Sequence, residues 1–303
     1  MEYMQDNYLS VVILLQHGMN QIQLLSKVRL MDEFLRNHFK HYEFILVDNN
    51  SLDNMDELIE KVDLKCSIVR LSRTHKPAQG MEAGIDCAIG DYILEIENIN
   101  CEFSVNEIWE MYIKCQGGSD FVCLTPRRQR KTSKIFYSIL NHFIKYETVE
   151  RIRSAIAIMS SRRGQNKVSA MGNKIVNRNV TYAMSGLRCT HVYTDVVYHN
   201  RRGFFINISL MADTLIYYTD FMVKFMVMIS MVFLTISIGM GIYSIISYFS
   251  ENIADGWTSI IVFISFGFSG IFAMLAIISK YLDHILKNTS DSKNYVFSEI
   301  IKK

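Results

Sequence analysis

Two prolines in 303 residues, and no low-complexity stretch, leave no flexible linker between domains. The six cysteines, at 66, 87, 101, 115, 123 and 189, form no CxxC pair, and scattered thiols suit a reducing compartment better than a disulfide framework. No HExxH motif or Cys/His cluster points to zinc. Residues 1–10 are polar and acidic, unlike the basic-then-apolar start of a signal peptide. The most consequential absence is of charge. Residues 225–250 are 26 positions without Asp, Glu, Lys, Arg or His, and residues 256–279 are another 24.

Spanning a hydrocarbon core of ~30 Å takes roughly 20 apolar residues, so each run is long enough. The alternative is a pair of helices buried in a water-soluble fold. Only Glu251-Asn252-Ile253-Ala254-Asp255 separates the runs, and it carries no Lys or Arg. Arg201, Arg202 and Lys224 flank the pair on one side, and Lys280, Lys287 and Lys293 on the other. The positive-inside rule then predicts a multi-pass protein of the inner (cytoplasmic) membrane with both termini cytoplasmic. The expected organisation is a cytosolic domain over 1–203, an interfacial helix over 204–221, transmembrane helices over 222–250 and 256–282, and a cytoplasmic tail over 283–303. The segment 204–221 mixes apolar residues with Asn207, Ser209, Asp213 and Asp220, and reads equally as a packing helix.

What is present in the first 200 residues alternates strictly. Leu9–Leu15 is a continuous apolar run, as in a parallel strand buried on both faces. Gln21–Phe39 has helical periodicity through Leu24, Leu25, Val28, Leu30, Met31 and Leu35. Strands are predicted at Glu43–Val47, Ser67–Leu71, Tyr92–Glu97 and Asp120–Thr125. Helices are predicted at Asp53–Val62, Gln79–Ala88 and Val105–Cys115. Alternation of this kind predicts an α/β fold with a doubly wound, Rossmann-like sheet. Such sheets bind ligands off the carboxyl ends of their strands. Asp48-Asn49-Asn50-Ser51, Arg73 and Glu97 all stand at such ends.

After Thr125 the chain turns basic: Arg127, Arg128, Arg130, Lys131 and Lys134 fall within eight positions, with no acid before Glu147. This is a solvated surface or a site for lipid phosphate. Nucleic acid is not expected, since no aromatic-interleaved motif accompanies the charges.

These residues together resemble family 2 glycosyltransferases of the GT-A fold, whose sheet is mixed. The closer resemblance is to polyprenyl-phosphate glycosyltransferases of the dolichol-phosphate mannose synthase type, which end in a two-helix membrane hairpin. The family's Asp-Asp-Gly-Ser-x-Asp pattern stands here as Asp48-Asn49-Asn50-Ser51-Leu52-Asp53. Arg73, Ala83-Gly84-Ile85-Asp86, Ala88 and Gly90-Asp91 follow at family spacing. Phe136-Tyr137-Ser138-Ile139-Leu140 and Arg201-Arg202-Gly203 fit its later elements. Departures are Gln16-His17-Gly18 after the first strand, Asn49, and Arg153–Ile158, where an acidic segment is usual.

The resemblance implies transfer of a sugar from a nucleotide-sugar to a polyprenyl (undecaprenyl) phosphate. Asp48, Asn49, Ser51 and Arg73 would bind the nucleotide, with Asn49 keeping an acceptor oxygen for a base N–H. Glu97 would be catalytic and hold Mg2+ or Mn2+. Ile99 replaces the second metal-binding acid, so either Glu95 forms a displaced pair with Glu97, two apart on one strand, or Asn98 or Asn100 supplies a neutral oxygen ligand. Arg127, Arg128, Arg201 and Arg202 would hold the acceptor phosphate. A homo-oligomer is possible through the hairpin. The competing reading is a degenerate, non-catalytic membrane scaffold. A processive synthase fits less well, because Trp109 and Trp257, the only tryptophans, lie outside any Gln-x-x-Arg-Trp element.

Overall fold

The computed structural model describes residues 4–15, 21–50, 65–97, 99, 103–129, 131–144, 151–171, 175–196, 204–219, 221–249, 257–289 and 295–302. The chain divides into two compact units, residues 1–207 with 292–303, and residues 208–291.

The first unit is built on a mixed eight-stranded sheet of order β7-β5-β6-β4-β1-β2-β3-β8. Its strands are β1 Gln5–Leu15, β2 Phe39–Asp48, β3 Cys66–Leu71, β4 Tyr92–Ile96, β5 Phe121–Pro126, β6 Ala157–Ser161, β7 Cys189–Thr194 and β8 Phe297–Lys302. β1 pairs in parallel with both β2 and β4, β2 with β3, and β5 with β7, while β6 runs antiparallel to β4 and β5. Six strands therefore point their carboxyl ends to one edge. Residues 9–15 are fully buried because β1 has a strand on each side and a core on each face.

One face carries α1 Gln21–His38 and α3 Val105–Gln116; the other carries α2 Pro77–Cys87. In α1 the buried stripe is Leu24, Val28, Met31 and Leu35, whereas Leu30 is exposed. At 100° per residue Leu30 falls well off that stripe, a correction to the apolar face predicted from the helical periodicity. α3 begins at a capping box: Ser104 Oγ accepts from Asn106 N at 3.2 Å, and Glu107 Oε2 accepts from Ser104 N at 2.8 Å. α2 lies close against the sheet through Gly84. A Cβ there would stand 2.5 Å from methyl carbons of both Val12 and Val47. Beyond these come α4 Lys131–Phe143, α5 Arg162–Ala170 and α6 Arg178–Met184.

The sequence predicted five strands of this sheet and missed three. β6 is short and ends in serines, and β7, Cys-Thr-His-Val-Tyr-Thr, has neither an apolar run nor a strict alternation. β8 lies in the segment expected to be a tail. It pairs antiparallel with β3, its start anchored where Ser72 N donates to the Val296 carbonyl at 3.0 Å. The predicted helix Asp53–Val62 lies outside the described residues.

The second unit holds most of α7 Phe204–Tyr218, then α8 Phe221–Phe249 and α9 Trp257–Thr289. Both uncharged runs are thus helical, and α9 continues past the expected end at 282. The ring of Phe233 on α8 fills a notch at Gly270 of α9, where a Cβ would meet ring carbons at 2.3 Å. Lys280 Nζ lies 2.9 Å from Asp213 Oδ1, tying α9 to α7. The two long helices run 29 and 33 residues. Counted over the described residues alone, no helix is long and apolar enough to cross a membrane.

Candidate active site

Asp48, Asn49, Arg73 and Glu97 stand at the carboxyl edge of the sheet, as the sequence predicted, and Arg127 and Arg128 follow β5 at the same edge. Asp48 closes β2, buried, opposite Leu15 at the end of β1. Asn49 N donates to the Leu15 carbonyl at 3.4 Å, holding the two strand ends together. Asn50 then takes φ 52°. Asn tolerates this left-handed backbone better than most residues, and the family pattern has glycine at this position.

The Asn49 side chain does something the sequence did not suggest. Its Oδ1 accepts from His75 N and its Nδ2 donates to the His75 carbonyl, both at 2.8 Å. The amide thus pairs with the backbone of the loop between β3 and α2. This corrects the expectation of an oxygen reserved for a base N–H. An aspartate could not make the second bond, which gives a physical reason for asparagine here. Arg73 is exposed, and its carbonyl accepts from His75 Nδ1 at 2.6 Å.

At β4 the outcome divides. Glu97 sits half-buried one residue past the strand end. Ile99, in the place of a second acid, is 1% exposed and packs with Leu24, Val28 and Met31 of α1 on the opposite face from Glu95. Lys27 Nζ donates to the Ile99 carbonyl at 2.7 Å and fixes that loop.

Glu95 is not a partner for Glu97. Its carboxylate is buried and takes Arg178 Nε at 2.6 Å and Nη2 at 3.2 Å, Tyr182 OH at 2.6 Å and Gln165 Nε2 at 2.8 Å. Burial pushes the Glu95 carboxyl upward, against the opposing pull of Arg178. The displaced acid pair is therefore corrected to a buried ion pair that fastens α6 to β4. Arg178 also lies over the Tyr182 ring, 5.0 Å from its centroid, and that ring stacks on Phe121.

Nearer the edge, the Tyr137 phenol of α4 is pushed up to about 12, mainly by burial, with Glu97 among the negative groups that raise it. Asn179 of α6 donates to the Arg153 carbonyl. This segment, where an acid is usual in the family, offers backbone and amide instead.

Arg127 is exposed, with Nε 3.5 Å from Asp195 Oδ1, and its backbone N donates to the Thr194 carbonyl of β7. Arg128 is exposed beside it. Ser51, Asn98, Asn100, Arg201 and Arg202 lie outside the described residues. The sequence reading missed His75, Arg178, Tyr182 and Gln165. Only His75 lay inside a recognised stretch; the others belong to segments 40 or more residues beyond the last strand read.

No group of three His, Cys, Asp or Glu residues able to hold a metal ion occurs among the described residues. What remains is Glu97. Mg2+ usually takes one or two protein carboxylates and completes its shell with water and substrate phosphates. A single-carboxylate site fits that habit; a protein-built cage does not.

Residues 28–161 match the family model described as Glycosyl transferase family 2. No curated protein matches the chain. Among solved structures, a mannosyltransferase from Pyrobaculum calidifontis in complex with GDP-Man and Mn2+ superposes with a TM-score of 0.51 at 14% identity. The match covers 71% of this chain and 63% of that one, so this chain spans under two thirds of its length. Glucosyl-3-phosphoglycerate synthase from Mycobacterium tuberculosis, with Mn2+, UDP-glucose and phosphoglyceric acid, gives 0.52 at 10% identity, covering 70% and 78%. Mannosyl-3-phosphoglycerate synthase from Rubrobacter xylanophilus gives 0.50 at 11%, covering 69% and 74%. At these identities the likeness shows the fold alone, a GT-A-like mixed α/β sheet.

Proposed function

We propose, taking residues 28–161 as a glycosyltransferase family 2 domain, that this chain moves a sugar from a nucleotide-sugar to a polyprenyl phosphate on the cytoplasmic leaflet of the inner membrane. The observation that carries this reading is the gathering of Asp48, Glu97 and the Arg127–Arg128 pair on one edge of that fold. The membrane part is supported by the two uncharged runs and by the large apolar side chains they turn outward, among them Val227, Met231, Phe268 and Phe272. A further support is connectivity. The chain leaves the sheet unit near Asn207 and returns to it at β8, so both flanks of the hairpin are tethered to one domain. Two crossings, or none, satisfy that tether.

In the proposed reaction a phosphate oxygen of the lipid attacks the anomeric carbon. A C–O bond forms there as the bond to the diphosphate breaks, and the electron pair leaves with the diphosphate. The nucleophile is already anionic, so the missing acid near Ser154 removes no required general base. Arg127, Arg128, Arg201 and Arg202 hold the acceptor phosphate, and arginine suits this through its planar fork of donors. Asp48, Ser51 and Arg73 line the nucleotide end. A bound Mg2+ or Mn2+ supplies positive charge to the leaving diphosphate, with Glu97 its protein ligand.

The test is direct. Purified protein, undecaprenyl phosphate and a panel of radiolabelled nucleotide sugars are to give a labelled glycolipid, and Glu97→Ala is to lower the rate at least a hundredfold. No product from any donor would overturn the reading. A second reading, a non-catalytic membrane scaffold, draws on the burial of Ile99 and the commitment of Glu95. Calorimetric titration of nucleotides with and without Mg2+ or Mn2+ separates the two, since a scaffold with an abandoned site binds none of them.

A further inference from the structure

Among the described residues, one buried ring nitrogen at the carboxyl edge, Nε2 of His75, has no hydrogen-bond partner. His75 is 8% exposed. Its Nδ1 lies 2.6 Å from the Arg73 carbonyl oxygen, which can only accept, so Nδ1 carries a proton. In the neutral ring Nε2 is then a bare acceptor. That atom is buried and has no hydrogen-bond partner among the described residues. Folded proteins rarely leave such an atom unpaired, and a functional role is one standing explanation.

The imidazole is also held firmly. Asn49 pairs with both backbone polar groups of His75, and the ring is fixed to the Arg73 carbonyl. Asn49 is in turn packed beside Gly80 of α2, where an added Cβ would lie 3.7 Å from the Asn49 Cγ and 2.8 Å from Leu14 Cδ1. The result is a rigid acceptor between the end of β2 and the start of α2. In open α/β sheets this is the edge where ligands bind.

We propose that His75 is a specificity-determining residue of the nucleotide pocket, its Nε2 accepting a hydrogen bond from the nucleoside. The donor is an imino N–H of the base or a ribose hydroxyl, which share that chemistry. Asn49 is the positioning residue that aims the loop. The inference rests on the nucleotide-sugar reading above, and assigns to the histidine the role that the family resemblance implied for Asn49.

The experiment titrates UDP and GDP into the purified full chain and into His75→Phe and His75→Gln, by calorimetry. The phenyl ring keeps the shape without the acceptor and is to weaken binding about tenfold or more. Glutamine, with a side-chain oxygen, is to recover part of the loss. A ligand-side arm needs no substitution: wild-type protein is titrated with base-methylated nucleotides that lack the imino N–H, and with 2′-deoxynucleotides. A tenfold loss with the methylated base assigns the contact to the base, and a loss with the deoxy form assigns it to the ribose. Equal affinity of wild type and His75→Phe, with no loss in either ligand arm, overturns this inference and leaves the transferase reading standing. Failure of wild type to bind UDP or GDP overturns both.

Discussion

At the scale of single residues, the two informative departures from the family pattern have structural partners. Asn49 must donate as well as accept, so Asn49→Asp sets a carboxylate against the His75 carbonyl in a buried place. The expected cost is about 2 kcal/mol, read as a melting temperature lower by roughly 4–8 °C. Arg178→Ala strands the buried Glu95 carboxylate, and breaking such a pair costs about 3–5 kcal/mol. The pH dependence follows from the sign of the shift. Burial already raises the Glu95 carboxyl, and without Arg178 it rises further. A raised acid contributes its stability below the unfolded pKa and loses it as pH climbs through the folded one. The deficit of Arg178→Ala relative to wild type is therefore small near about pH 4.5 and grows toward neutrality, as denaturant melts at several pH values would show. Adding Glu95→Gln in that background removes the pH dependence.

Elements were legible where their side chains repeat with a clear period. The apolar run of β1 and the 3.6-residue stripe of α1 declare themselves, because a strand buried on both faces and a helix lying on a sheet have few other solutions. β8 did not, since Phe297–Lys302 is mostly exposed and its strand character exists only by pairing with β3. Its attachment is specific: Tyr295 OH donates to Asp86 of α2, Arg70 faces Glu299 at 3.4 Å, and Tyr295 packs in the core below α2. Burial and the neighbouring Asp86 push the Tyr295 phenol far above its usual range. Tyr295→Phe removes a hydrogen bond to a charged group, with an expected loss of about 1.5–3 kcal/mol. Limited proteolysis would then cut the C-terminal segment faster than in wild type. An unchanged cleavage rate would mean the strand holds without that anchor.

For the whole molecule, the tether through β8 predicts a specific topology for the hairpin. Cysteines introduced singly at Asp195 and at Lys302 are to react with a membrane-impermeant thiol reagent only after the cytoplasmic face is opened. A cysteine at Ala254, between the helices, is to react from the other side in intact cells. Labelling of Ala254 and Asp195 from the same side would refute the crossing. If the proposed hairpin crosses the bilayer, the protein is also to sediment with membranes and resist high salt, since apolar burial rather than surface charge would hold it there.

The sequence alone determined the alternating strands and helices of β1 to β5, the strand ends where polar residues gather, and the position and uncharged character of the two long helices. All are written in periodicity and in the position of polar residues at strand ends. Tertiary structure decided how those polar residues are spent. Whether Glu95 faces a metal or an arginine depends on Arg178, 83 residues away, and whether Asn49 reads a ligand or braces a loop depends on the backbone at His75. Both turn on hydrogen-bond partners that meet only when distant segments pack, and no spacing along the chain encodes them.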